Sequence, residues 1–347
     1  MLNRARFTSL LLSFPALAIA VERGGAVLAQ AQTAATPLPS WNEGPAKASI
    51  LNFVRAATDA SGPDFVPEED RIATFDQDGT MWVEHPVYTQ VVFAFDRVVA
   101  LAPQHPEWKE TQPFKSVLAD DKSAISKFTL KDLEAILEAT HTGMTTEAFR
   151  AIARDWIAKA TSPRWKRPYT ELVYQPMLEV MQYLRSHGFK TYIVTGGGQD
   201  FVRAYAQRVY GVHPEQVIGS AIRTKYTYGK DGRGILLREP TLLLNNNMSG
   251  KAEDIYLFIG SRPHAAFGNS SGDRQMLEFT AGNSGARLMM LVLHDDAERE
   301  FAYGPARGLP DTKIGAFPQT LYDEATTKGW NVISMKNDWN RIFSFES

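Results

Sequence analysis

The chain contains no cysteine. That excludes disulfides, thiol catalysis and a lipid anchor on cysteine, and it suits an oxidising compartment without requiring one. A charge imbalance is also missing. Lys and Arg number 37 against 39 Asp and Glu, a formal net charge of −2. Nothing global therefore points to nucleic acid or to an anionic membrane surface. No segment of the main body is apolar for long enough to span a bilayer. The seven histidines are scattered without an H-x-x-x-H pair, which speaks against a zinc site. Internal repeats and low-complexity tracts are absent too.

What is present begins with a leader. "MLNRARFTSLLLSFPALAIA" carries Arg4 and Arg6, then a short apolar run from Phe7 to Ala20. Small residues follow at two candidate cleavage sites, Ala18-Ile19-Ala20 and Ala29-Gln30-Ala31. Basic flank, short apolar run and small-residue site in that order predict a secretory signal over residues 1–31, with export to the periplasm or the medium. The two arginines are not adjacent, so a twin-arginine signal is not expected.

A length of 347 residues suggests two units, or one large α/β domain with an insertion. Residues 32–70 read as a linker followed by a helix in "KASILNFVRAAT". "RIATF" then reads as a strand. Between residues 87 and 169 the apolar period is helical throughout, with Thr129 and Thr145 placed to cap two of the helices. After Tyr169 helix and strand alternate. "QPMLEVMQYLRSHGF" is a helix closing at Gly188, "KTYIVTGGG" a strand entering a glycine loop, and "DFVRAYAQRVYG" a single helix. "AIRTKYTYGKDGRGILLRE" reads as a hairpin, "KAEDIYLFIG" as a helix, and "RLMMLVLH" as a fully buried strand. This order predicts an α/β core, a Rossmann-like parallel sheet with helices on both faces, formed by 71–86 and 170–347. An α-helical cap over 87–169 is inserted after the first strand.

Three apolar strands end in polar or glycine-rich loops: Asp76-Gln77-Asp78-Gly79-Thr80, Thr195-Gly196-Gly197, and Gly268-Asn269-Ser270-Ser271-Gly272-Asp273. Ligands of open parallel sheets bind beyond the carboxyl ends of the strands, so neighbouring strands would bring these loops into one crevice. Carboxylates, hydroxyls and loop N–H groups suit phosphate and a hard cation such as Mg²⁺. Two aspartates can also divide the work of nucleophile and acid. Taken alone, "DQDG" fits a solvated turn equally well. A calcium loop does not fit, because the glycine comes too early. "SGK" is no nucleotide-binding P-loop either, because Asn245 and Ala252 occupy the places of its glycine and hydroxyl residue.

"FDQDGT" resembles the first motif of the haloacid dehalogenase (HAD) superfamily, Asp-x-Asp-Gly-Thr at the end of a strand. "IVTGG" resembles its second motif, Lys251 in "MSGKAEDI" its third, and "FGNSSGD" its fourth. The resemblance runs in order over about residues 71–275 and is closest to the helical-cap branch that includes phosphoserine phosphatases. It implies Asp76 as the nucleophile that takes the phosphoryl group. Asp78 would be the acid and then the base, its backbone carbonyl on Mg²⁺. Thr195 and the Gly196 N–H would hold phosphoryl oxygens, and Lys251 would neutralise charge. Asp76, Asp78, Asn269 and Asp273 would form or back the metal shell. Members with a second aspartate in the fourth motif bind metal through it. Asn269 stands there here and brings no charge, which predicts weaker metal affinity.

The resemblance thus implies a Mg²⁺-dependent phosphatase acting on a small phosphomonoester. The alternatives are a phosphotransferase to an alcohol, and an exported anion-binding protein without turnover. Glu84 and His85 are candidates to face substrate, or to form a structural hinge. Arg164, Lys166 and Arg167 read as a return linker, with too small a cationic footprint for nucleic acid. Asn247 and Asn269 match a glycosylation pattern that is common by chance. No nucleic acid partner is expected, nor a stable membrane association once the leader is removed. Oligomeric state is not readable.

Overall fold

The computed structural model describes residues 37–346. The leader expected over 1–31 lies outside the described residues. Seven strands form one sheet: β1 (Ile72–Phe75), β2 (Lys190–Gly198), β3 (Val217–Tyr228), β4 (Gly234–Leu244), β5 (Ala265–Gly268), β6 (Leu288–Leu293) and β7 (Asn331–Ser334). Their order is β4-β3-β2-β1-β5-β6-β7. All neighbours pair in parallel except β3 and β4, which form the expected antiparallel hairpin.

β1 is central and wholly buried, and it sets the register. Phe75 lies opposite Ile193 on one side and Phe267 on the other. The loops after β1, β2 and β5 therefore leave the same edge of the sheet side by side, as the apolar-to-polar transitions predict. Alternate residues of the strands divide between two cores. Phe75, Ile193, Phe267 and Met290 face one, while Val194, Ala266 and Leu291 face the other. Helices Pro45–Thr58 and Gln175–Ser186 cover the first face, and helices Ser249–Ile259, Arg274–Ala281 and Gln319–Thr327 the second. The expected fold class is the one observed.

Between β1 and β2 the chain forms helices at Thr89–Leu101, Leu130–His141 and Thr146–Ile157, with shorter turns between. Part of this insert has an apolar cluster of its own, built around Ala94, Val98, Trp108, Phe114 and Ile136. Its starts are capped as the sequence predicts. Thr129 and Asp132 form a reciprocal capping box, and the Thr145 hydroxyl accepts from Ala148 N at 3.1 Å.

The helix expected over "DFVRAYAQRVYG" is broken into Gln199–Arg203 and Ala206–Tyr210. Tyr205, at the break, has φ −136°. Its ring turns inward, stacking on Trp82 at 5.0 Å, and its hydroxyl accepts from Gln77 Nε2 at 2.6 Å. Tertiary packing here overrides helical period. Arg164 serves the structure. It donates to the carbonyl of Glu300 at 2.7 Å and lies over the Phe301 ring at 4.1 Å, tying the chain that leaves the insert to the core. No helix among the described residues is long and apolar enough to cross a membrane.

His141 ends the second of these insert helices and is buried against the core. Its Nε2 lies 3.3 Å from Gln90 Nε2, and its Nδ1 lies 2.7 Å from the Thr140 hydroxyl. Burial, with Arg238 and Arg97 nearby, pushes its pKa down from 6.5 to about 3. Above pH 6.5 the ring is neutral folded or unfolded. Below it the unfolded chain takes up the proton and the folded chain does not, so stability falls as pH drops toward 3, by up to about 1.4 kcal/mol per unit. In urea titrations at pH 7.5 and pH 5, His141→Gln is expected to lose less stability between the two pH values than wild type does.

Candidate active site

Asp76 follows the last residue of β1, and its N–H donates to the Phe267 carbonyl of β5 at 2.8 Å. The sheet thus anchors the backbone of the first aspartate directly. Lys251, in the first turn of helix Ser249–Ile259, reaches the same edge and is buried. Its ammonium donates to Asp76 Oδ1, to Asp273 Oδ1 at 2.6 Å, and to the Val194 carbonyl at 2.9 Å. Burial works against the charge, but Asp273 and Asp76 outweigh it and hold the lysine above its ordinary value.

Both oxygens of Asp273 are engaged. Oδ1 takes Lys251, and Oδ2 accepts the N–H groups of Asn269 and Ser270, each at 3.0 Å. Asp273 therefore holds the fourth-motif loop and the lysine together from behind. On the other side of Asp76, the buried Thr80 hydroxyl lies 3.4 Å from Asp76 Oδ2 and 3.2 Å from Asn269 Oδ1. Thr80 thus brings the second carboxylate oxygen of Asp76 and the Asn269 amide oxygen to one place.

Asp78 faces the second loop. One carboxylate oxygen accepts from Trp82 Nε1 at 2.7 Å, and the other lies 3.7 Å from where a side chain on Gly197 would begin. The Thr195 hydroxyl is buried beside it and accepts from Gly197 N at 3.0 Å. Gly196 follows Thr195 on the cavity wall, its carbonyl held by the Ser220 hydroxyl at 2.8 Å. Asp76, Asp78, Thr195, Gly196, Lys251 and Asp273 all line one cavity of about 740 Å³ between the sheet edge and the insert. Asn269 is buried behind this lining and is linked to Asp76 through the Thr80 hydroxyl.

The electrostatics of this edge follow from burial. Burial raises Asp76 to about 7, and Asp273 adds to the rise while Lys251 opposes it. Burial raises Asp78 to about 6, partly offset by the indole hydrogen bond. Glu84 is pushed well above the ordinary carboxyl range by burial, and the charges of Asp78 and Asp76 add to it. Four carboxylates thus share this edge with one ammonium.

Glu84 is the residue whose part was not legible in sequence. It is 2% exposed, and its Oε1 accepts from Asn269 Nδ2 at 2.7 Å and from the Tyr303 hydroxyl at 2.8 Å. The first contact fixes which way the Asn269 amide points and leaves its oxygen toward Asp76. Two glycines with positive φ fit closely around it. A Cβ at Gly79 (φ +76°) would lie 2.3 Å from Glu84 Oε1, and one at Gly315 (φ +60°) 1.8 Å from it. His294 Nε2 donates to the Gly79 carbonyl at 2.7 Å, and its other ring nitrogen meets Glu300 at 3.1 Å. His85 stacks on Tyr303 at 3.6 Å, so it packs behind this network. A glutamate a few residues after the first motif was the only sequence signal for this support.

Among the described residues no cluster of three His, Cys, Asp or Glu side chains forms a ready-made metal cage. The donors here are mixed: Asp76 Oδ2, the Asn269 amide oxygen and backbone carbonyls. Oxygen-only donors beside surplus negative charge fit a hard divalent cation, which typically takes few protein carboxylates and completes its shell with water and substrate.

The sequence matches the family of haloacid dehalogenase-like hydrolases over residues 73–278, more than half of the chain. The chain belongs to that family, and the expected hydrolase class agrees with this membership. No curated protein matches it. Solved structures with a similar fold include a protein of unknown function from Anaerococcus prevotii, at 15% identity and TM-score 0.47, covering 72% of this chain and 85% of that one. Another of unknown function, from Bordetella pertussis, is 17% identical at TM-score 0.44, covering 76% and 97%. A phosphoserine phosphohydrolase-like protein from Francisella tularensis is 14% identical at TM-score 0.35, covering 65% and 88%. Likenesses this distant say nothing about substrate.

The raised pKa of Asp76 has a measurable consequence. Its ionisation disfavours the folded state, so stability falls as pH rises from the unfolded value of 3.8 toward about 7. Asp76→Asn removes that charge. It is expected to be more stable than wild type at pH 8, by about 1–4 kcal/mol, with a smaller difference at pH 4. Thermal melts at the two pH values test this.

Proposed function

We propose that the protein is a Mg²⁺-dependent phosphatase that hydrolyses a phosphomonoester through a phospho-aspartate on Asp76. The observation that carries this reading is the division of roles between two neighbouring aspartates. Asp76 lines the cavity, with one oxygen held by Lys251 and the other met only by the Thr80 hydroxyl at 3.4 Å. Asp78 is raised to about 6 and has one oxygen beside the Thr195 loop. Binding alone would need neither a nucleophile nor an acid at this spacing.

In this reading the Asp76 carboxylate oxygen not held by Lys251 attacks phosphorus, and the bond from phosphorus to the alcohol oxygen breaks. Asp78, protonated, gives its proton to the departing oxygen. It then takes a proton from a water whose oxygen attacks phosphorus, releasing phosphate and restoring Asp76. Thr195 and the Gly196 N–H hold phosphoryl oxygens, and Lys251 balances the charge on Asp76 and on the phosphoryl group. Mg²⁺, held by Asp76, Asn269 and the Asp78 carbonyl with Asp273 behind, would supply charge neutralisation on the phosphoryl oxygens. The insert over 87–169 serves as a cap that shields the reaction from bulk water.

Release of phosphate from p-nitrophenyl phosphate is expected to need added Mg²⁺ and to stop in EDTA. Asp76→Asn should abolish it. Asp78→Asn should lower it by about 10²–10⁴-fold. Undiminished release by Asp76→Asn, or in EDTA, would rule the mechanism out. Export belongs to the same reading and rests on the leader at residues 1–31. Fractionating expressing bacteria should place the protein outside the cytoplasm, with a mature N-terminus near residue 21 or 32; full-length protein in the cytoplasm would refute it.

A further inference from the structure

The cavity above Asp76 has walls of two kinds. Its volume of about 740 Å³ lies within the range that encloses a drug-sized ligand and leaves ample room beyond the phosphate. Besides the aspartates and glycine loops, the cavity is lined by apolar side chains, Phe95, Leu133, Ile136 and Leu137 of the insert and Phe201 and Leu242 of the core.

Among the described residues, the cavity lacks cationic groups for a second anion. Among the lining residues only Lys251 and Arg238 carry positive charge. Lys251 is held by Asp76 and Asp273. Arg238 is buried and its charge is already paired: Nη1 meets Asp200, Nε donates to the His141 carbonyl at 2.7 Å, and the guanidinium lies over the Phe149 ring at 4.0 Å. The lining histidine, His141, is held neutral at physiological pH. Glu134 and Glu138, exposed and one turn apart on the insert helix, add negative charge to the wall. A carboxylate on the substrate's alcohol would lose its hydration and find no counter-charge.

We propose that the substrate is a phosphate monoester of an apolar alcohol, alkyl or aryl, that bears no second anionic group. This rests on the phosphatase reading above and narrows it. The phosphate end is read by the loops at the sheet edge, and the alcohol end by burial of its hydrocarbon against the insert. Burial of hydrocarbon is the selective force, so each added methylene that reaches the wall should raise kcat/KM by about threefold to fourfold.

The test uses the mature protein with Mg²⁺ and a set of esters. The set comprises n-alkyl phosphates from methyl to hexyl, 2-naphthyl phosphate, phosphoserine and 3-phosphoglycerate. The expected result is a kcat/KM that climbs along the alkyl series and exceeds that of phosphoserine by at least about 100-fold for hexyl and naphthyl esters. Leu137→Arg supplies the missing cation, as does Leu242→Arg on the exposed hairpin should the first variant fold poorly. Either should shift the ratio of phosphoserine to hexyl phosphate turnover by about tenfold or more toward phosphoserine. A flat alkyl series, or phosphoserine or 3-phosphoglycerate preferred over every alkyl and aryl ester, would overturn the proposal and leave the phosphatase reading standing. Turnover of none of them would overturn both.

Discussion

One buried ammonium organises this protein's reactive edge. Lys251 reaches a carboxylate from the loop after β1, a carboxylate from the loop after β5, and a carbonyl of β2. Those three strands are neighbours in the sheet. Without the cation, Asp76 and Asp273 would face each other unpaired in a dry environment, an arrangement that burial makes very costly. With it, three loops far apart in sequence share one electrostatic centre. The lysine therefore ties these segments together and balances the charge of the two buried carboxylates.

Around that centre, polar support is layered. Asp273 holds the lysine and the loop N–H groups, Glu84 fixes the Asn269 amide, and Tyr303 holds Glu84. Each partner leaves the next with one defined orientation, so the oxygens that face the cavity are those not consumed behind it. Burial disfavours full ionisation of Asp76, Asp78 and Glu84, and neighbouring carboxylates add to the effect at Asp76 and Glu84. Such a concentration of buried carboxylates comes at some expense in stability.

Much of this is legible in sequence because the physics involved is local. An apolar run that ends in glycine or aspartate marks a strand meeting solvent, and so the residues alone place β1, β2 and β5 with their loops. Thr129 and Thr145 cap helices for equally local reasons. The break at Tyr205 is not legible, since it depends on Trp82 and Gln77, more than a hundred residues away. The part played by Glu84 is hidden for the same reason, since its partners lie at 269 and 303. The four motifs point to Asp273 as a neighbour of the metal shell. Its full engagement by Lys251 and backbone N–H groups is a matter of geometry alone.

The close fit of Gly315 against Glu84 and the hydrogen bond from Tyr303 join the first motif to the last part of the chain. Ser271 N also donates to the Ala316 carbonyl at 3.0 Å, so the fourth-motif loop leans on the same segment. During synthesis Asp76 and Asp78 emerge early, but the segment that walls in Glu84 arrives more than two hundred residues later. A growing chain therefore carries these aspartates long before their surroundings are finished, and the centre is assembled only once the segment around Gly315 is in place.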